Sequence, residues 1–146
     1  MAETLGSLID KISIVKLKQY HSDDEDRLLS LEKQESQLAS EIDEFISRAC
    51  SGEIPNEKLY FKSNKVYKKE GNAINDIFGS IGMLASQLAD ANCRLWHVQE
   101  KVYEFEAVPI AEKDEVVKQL AVLNLERTKC IDEIDNQFSS RISNIV

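Results

Sequence analysis

Glu35, Asn92, Asn124 and Arg127 interrupt stripes that are otherwise Leu, Ile and Val, and such interruptions are where a helical chain can do chemistry. Burying an amide or a charge is costly unless it is hydrogen-bonded or paired, so these groups are expected to meet one another across a bundle. Two outcomes follow from such a meeting. In the first, the layer lines a ligand pocket between helices. Arg127 and the lysines would then take up a phosphate, and an aromatic ring would stack on a flat group. In the second, Arg127 pairs with Glu35 or with an acid of another helix and sets the register of the bundle. Asp10 and Lys11 on an early helix are expected to extend the layer. Trp96 and Glu100 extend it on a later one, because Asn92, Trp96 and Glu100 follow one another at four-residue steps and share a face. A tryptophan so placed either stacks on a ligand or anchors the core through its ring nitrogen.

Other chemistries have weaker support. Magnesium-dependent hydrolysis of a nucleotide, as in all-helical pyrophosphatases, needs acids one turn apart on facing helices. Glu32 with Glu35, Glu41 with Glu44, and Asp132 with Asp135 have that spacing, but 26 acids in a helical chain produce such pairs by chance. His21 and His97 are too few for a di-iron bundle, which draws on two Glu-x-x-His pairs. Their expected places are exposed surface or helix ends. No Gly-rich phosphate loop, nucleophile elbow or Cys–His pairing is present. The residues therefore call for no metal and no cofactor, and catalytic residues cannot be named.

The elements that would hold this layer are read from hydrophobic period. Ile74, Ile77, Ile81, Leu84, Leu88, Ala91, Leu95, Val98, Val102 and Phe105 recur at steps of three and four, which keeps one stripe facing a partner helix. Helices are expected at about 3–21, 23–50, 72–106 and 109–144, as an all-α antiparallel bundle. The first carries apolar residues around much of its girth and should be central. Ser22 with Glu25 reads as a capping box for the second helix, whose seam is Leu28, Leu31, Glu35, Leu38, Ile42, Phe45 and Ala49. Gly52 and Pro55 end it. Gly79 and Gly82 are expected to lie inside the third helix and to permit close approach or a slight bend. Pro109 opens the fourth. One of its stripes is Val116, Leu120, Leu123, Cys130 and Ile134, and a second is Val117, Ile131, Phe138 and Ile145. A helix of that length extends ~50 Å, so helices three and four form a long hairpin. Surplus seam predicts a homodimer.

Composition sets outer bounds. The 146 residues read as a single helical-bundle domain, 1–146, with only five Gly and two Pro. No apolar run is long enough to span a bilayer and no secretory signal is visible, so the expected compartment is the cytoplasm. Cys50, Cys93 and Cys130 are an odd, widely spaced set, expected to be reduced and half-buried. A formal charge of −8 argues against general affinity for nucleic acid. The connector at 53–71 is the local exception. Lys58, Lys62, Lys65, Lys68 and Lys69 interleave there with Tyr60, Phe61 and Tyr67. That segment is either a phosphate- or base-holding surface or a solvated linker whose aromatics pack on the bundle.

Three segments carry a resemblance. LIDKISIVKLK (8–18), NCRLWHVQE (92–100) and LNLERTKCIDEID (123–135) are similar to an uncharacterised family of small bacterial helical proteins. Its members share an L-I-D-K opening, an N-x-x-L/I-W element and an N-x-x-R element. That family often accompanies genes of surface polysaccharide or lipopolysaccharide assembly. The resemblance implies shared polar positions at Asp10, Lys11, Lys18, Asn92, Trp96, Glu100, Asn124 and Arg127. It departs at Gln99, where an acid is expected, and at Tyr103, where a basic residue is. The resulting expectation is a binding or accessory module without catalysis, working with a protein partner. The alternative is an enzyme or sensor that holds a phosphorylated sugar or nucleotide.

Overall fold

Thr4 starts the first helix by reciprocal hydrogen bonding. Its hydroxyl accepts from the Ser7 amide at 3.3 Å, and the Ser7 hydroxyl accepts from the Thr4 amide at 2.8 Å, which satisfies two amides that a helix start leaves unpaired. In the computed structural model, which describes residues 2–61, 77 and 79–145, four long helices follow. They are α1 (Leu5–Tyr20), α2 (Glu25–Cys50), α3 (Ile81–Tyr103) and α4 (Ile110–Ile145). Short 3-10 turns at Asn56–Lys58 and Phe105–Ala107 join α2 towards α3 and α3 to α4. The all-α antiparallel bundle expected from the periodicity is the architecture found. No described helix is long and apolar enough to cross a membrane.

Packing follows the stripes. α3 and α4 form the main hairpin, α1 lies on both and also on α2, and α2 touches α4 only lightly. The central place expected for the first helix is thus explained by its wide apolar girth. Leu84 and Leu88 of α3 and Ile134 of α4 are fully buried with Leu5, Ala49, Leu59 and Phe138. Each large aliphatic side chain so buried contributes about 1.5–3 kcal/mol. At 36 residues α4 is ~54 Å long, against ~24 Å for the 16 residues of α1. The far end of the α3–α4 hairpin therefore needs a core of its own, made by Leu95, Val98, Val116 and Leu123 with Phe105, Val108 and Leu120.

Several boundaries differ from expectation for local reasons. Asp24 caps α2 in place of Ser22, by accepting from the Asp26 amide at 3.1 Å. α3 begins at Ile81 because Ser80 caps it. Gly79 lies before that cap with a φ of +127°, a turn residue and not a helical one. Gly82 faces open space and so mediates no close approach. Ile77, expected to be helical, is not, and the remainder of the expected 72–80 start (72–76 and 78) lies outside the described residues, as does Ile74. Val102, Val117 and Ile145 are exposed, while Ile142 is buried in their stead. Cys50 and Cys93 are exposed and only Cys130 is buried, all three free. Of the connector, Lys58 is exposed, Leu59 is fully buried, and Tyr60 and Phe61 are half-buried. Asn56 fastens that stretch to α4 through Ser143 at 2.6 Å and Ser139 at 3.0 Å. Lys62, Lys65, Tyr67, Lys68 and Lys69 lie outside the described residues.

The glycine that permits close approach is Gly6. A Cβ there would stand 2.6 Å from the Ile131 carbonyl oxygen and 3.0 Å from Asp135 Oδ1, too near a backbone atom to be relieved by a side-chain turn. Gly6→Ala is expected to destabilise the fold by about 1–3 kcal/mol, as overpacking does, measured as a fall in the urea midpoint with an unchanged slope.

Candidate functional site

Asp10, one turn after the α1 start, is the hub of the buried polar layer. Its Oδ1 accepts from Arg127 Nε at 2.8 Å and from Asn92 Nδ2 at 3.0 Å, and its Oδ2 accepts from Arg127 Nη2 at 2.6 Å. The Arg127 fork is therefore bidentate, and three helices contribute one side chain each. The Asp10 side chain is 7% exposed and that of Arg127 is 31% exposed. Hydrogen bonding to Asp10 holds the guanidinium above its ordinary value, against partial desolvation. Asn92 also reaches Ser13 Oγ at 3.5 Å. The amide thus ties the carboxylate to α3.

Arg127 opens onto a cleft of about 560 Å³ beside the start of α1, with Glu3, Ser7, Asp10, Lys11, Asp132 and Phe61 among its walls. Lys11 lies here, paired with Glu3. Burial raises the Glu3 carboxyl, but hydrogen bonds from Lys11 and Ser7 outweigh that and hold it below its ordinary value. The Lys11 ammonium is correspondingly raised by its hydrogen bond to Glu3. Both cations of this cleft are already neutralised by neighbouring acids.

The remaining expected residues go elsewhere. Lys18 is exposed on a shallow groove between α1 and α2. Trp96 stacks flat on His21, ring centres 4.6 Å apart and planes 10° apart, which closes the α1 end against α3. Glu100 is exposed near the end of α3. Asn124 donates to the Leu120 carbonyl of its own helix at 3.0 Å, so it satisfies itself one turn back and does not join the layer. Glu35 does not meet Arg127. Its Oε1 accepts from Gln19 and Lys16 of α1, each at 3.0 Å, and those bonds, Gln19 first, lower its carboxyl. Among the described residues no group of three or more His, Cys, Asp or Glu could hold a metal ion.

Asp135 and Glu126 were not expected in any layer. Asp135 is fully buried; its Oδ1 accepts from the Gly6 amide at 2.7 Å, and its Oδ2 has no hydrogen-bond partner among the described residues. The α4 carboxylate thus sits at the N-terminus of α1, where the helix dipole favours negative charge. Glu126 is 9% exposed on the opposite side of α4 from Asp135's contact with α1, in the groove shared with α3. Both stand on apolar stripes, Asp135 between Ile131 and Phe138, Glu126 between Leu123 and Cys130. The signal that singled out Glu35 would have found them. No protein-family model matches this chain, and neither curated proteins nor solved structures contain a match.

Burial pushes the Asp135 carboxyl up to about 6, with Asp132 adding repulsion and the Thr4 hydroxyl and Gly6 amide opposing. Its folded value lies above its unfolded one of 3.8, so the folded state binds the extra proton between the two. Relative to neutral pH, this group adds stability as pH falls through 6 and the whole gain is present below the unfolded value. Asp135→Asn removes the titration. The stability difference between wild type and this variant should move in favour of wild type by roughly 2–3 kcal/mol from pH 7.5 to pH 4, read from urea melts across that range. A flat difference would show that Asp135 is not buried in the folded protein.

Proposed function

We propose that the protein is a non-catalytic helical binding or accessory module that works beside enzymes assembling surface polysaccharide or lipopolysaccharide. The observation that supports the non-catalytic part is the closed Asp10–Arg127–Asn92 constellation. Both carboxylate oxygens of Asp10 are engaged, with three hydrogen bonds accepted between them, and Arg127 already holds its counter-ion. Such a layer orders helices; it does not move protons. The polysaccharide context rests on the likeness of the 8–18, 92–100 and 123–135 segments to that bacterial family. A protein partner is favoured by an apolar groove of about 730 Å³ between α1 and α3, walled by Ile9, Ile12, Leu17, Tyr20, Ala85 and Ala89, with Tyr20 84% exposed. The homodimer belongs to the same reading, since a second copy would cover apolar surface of this kind.

The second reading is a sensor or enzyme that binds a phosphorylated sugar or nucleotide in the α1–α4 cleft. It is favoured by the Arg127 edge, which reaches solvent beside Lys11 and the Ser7 and Thr128 hydroxyls.

A thermal-shift screen with nucleotide sugars and sugar phosphates separates the two. The module reading predicts an unchanged melting temperature and, in size-exclusion chromatography with light scattering, a dimer mass at tens of micromolar. A ligand at a hundredfold excess over its dissociation constant would add ~2.7 kcal/mol; a shift of that size, abolished by Lys11→Ala, would establish the second reading.

A further inference from the structure

The charges of the α3–α4 groove differ from those of the Asp10 layer in one respect: most of them have no partner among the described residues. The groove holds about 420 Å³ and has Val98, Val122 and Leu123 as its floor. Arg94, His97 and Lys101 of α3 and Glu115, Lys118 and Glu126 of α4 stand around it. Arg94 pairs with Asp90 at 2.9 Å. Among the described residues, no ion pair or hydrogen bond engages the side chains of Lys101, Lys118, Glu115 or Glu126. Glu126 is more than nine-tenths buried all the same. Its charge is felt by the neighbouring Cys130, whose thiol burial and then Glu126 push up to about 11.

Among the described residues Asp135 Oδ2 is the fully buried side-chain oxygen without a partner, whereas the Glu126 carboxylate still reaches the groove, where no protein donor competes with a bound ammonium. Free ammonium groups along the same groove oppose a simple cation, and the two glutamates oppose a simple anion. We propose that this groove binds a small zwitterion, with an ammonium that pairs with Glu126 and an anionic carboxylate or phosphate that pairs with Lys101 and Lys118. Lys118, Val122 and Glu126 follow at four-residue steps on one stripe of α4, so the acid and the lysine stand ~12 Å apart along the helix axis. That spacing fits a molecule whose charges are several bonds apart better than an α-amino acid. The apolar floor takes the methylene chain between them.

The test uses the full chain at neutral pH and low salt, with amide resonances of Val98, Leu123 and Glu126 followed by NMR. The probes are 5-aminopentanoate and 3-aminopropyl phosphate, with pentanoate and pentylamine as controls that lack one charge. Both zwitterions are expected to shift these resonances at millimolar concentration, at least about tenfold more tightly than either control; the tighter of the two tells carboxylate from phosphate. Glu126→Gln should abolish the preference over pentanoate, and Lys101→Ala with Lys118→Ala the preference over pentylamine, each variant first shown to melt with wild-type cooperativity. Overturning results are an absence of shifts with both zwitterions, equal binding of a singly charged control, or zwitterion binding untouched by Glu126→Gln.

Discussion

The bidentate pairing of Asp10 with Arg127 is the interaction on which the arrangement of helices depends. Asp10 is nearly inaccessible to water, and a buried carboxylate is tolerated only with its charge answered and its oxygens hydrogen-bonded. Arg127 answers the charge from α4 with two hydrogen bonds, and Asn92 adds a third from α3. The loss of either donor costs more than the pair contributes net, because the penalty falls on the group left behind. Three helices are in this way held to one mutual register, where the apolar stripes alone would permit slippage by a turn.

A second contact makes that register two-point. Gly6 meets Asp135 four residues before Asp10 on α1, and eight residues after Arg127 on α4. The helices run antiparallel, and the axial steps are ~6 Å on one and ~12 Å on the other. The long arginine side chain spans the difference, and the missing Cβ of Gly6 lets the α1 start sink onto the Ile131 carbonyl. A lysine in place of Arg127 would supply charge without the planar fork that fills both oxygens. The consequence for function is a division of labour along α4. Charges that face α1 are consumed in holding the fold, whereas Glu115, Lys118 and Glu126, on the α3 groove, have no partner among the described residues.

Much of this was legible in residue spacing. The three-four steps of Leu84, Leu88, Ala91, Leu95 and Val98 marked α3, and a wide apolar girth marked α1 as central. The principle that polar residues on apolar stripes must meet also picked out Asn92 and Arg127. Their hub, Asp10, was read as an extension of that layer and not as its centre. What spacing could not show was partner choice. Glu35 and Asn124 lie on comparable stripes, but each found a nearer partner, two α1 side chains for one and its own backbone for the other. Gly79 looked helical because period alone does not register a positive φ, and Gly6 looked unremarkable because a close approach depends on which atom of another helix lies opposite. Asp135 and Glu126 carry the signal that marked Glu35, an acid on an apolar stripe, and spacing alone does not rank the three.

The central claim is that Asp10 and Arg127 stabilise the bundle as a unit. A double-mutant cycle with Asp10→Ala, Arg127→Ala and the double variant, followed by urea unfolding, tests it most directly. Each single variant should cost more than the pair's additive share, and the coupling energy should be about 2 kcal/mol or more. Additivity of the two substitutions within about 0.3–0.5 kcal/mol would contradict the account, since it would mean that the two side chains do not act on each other in the folded protein.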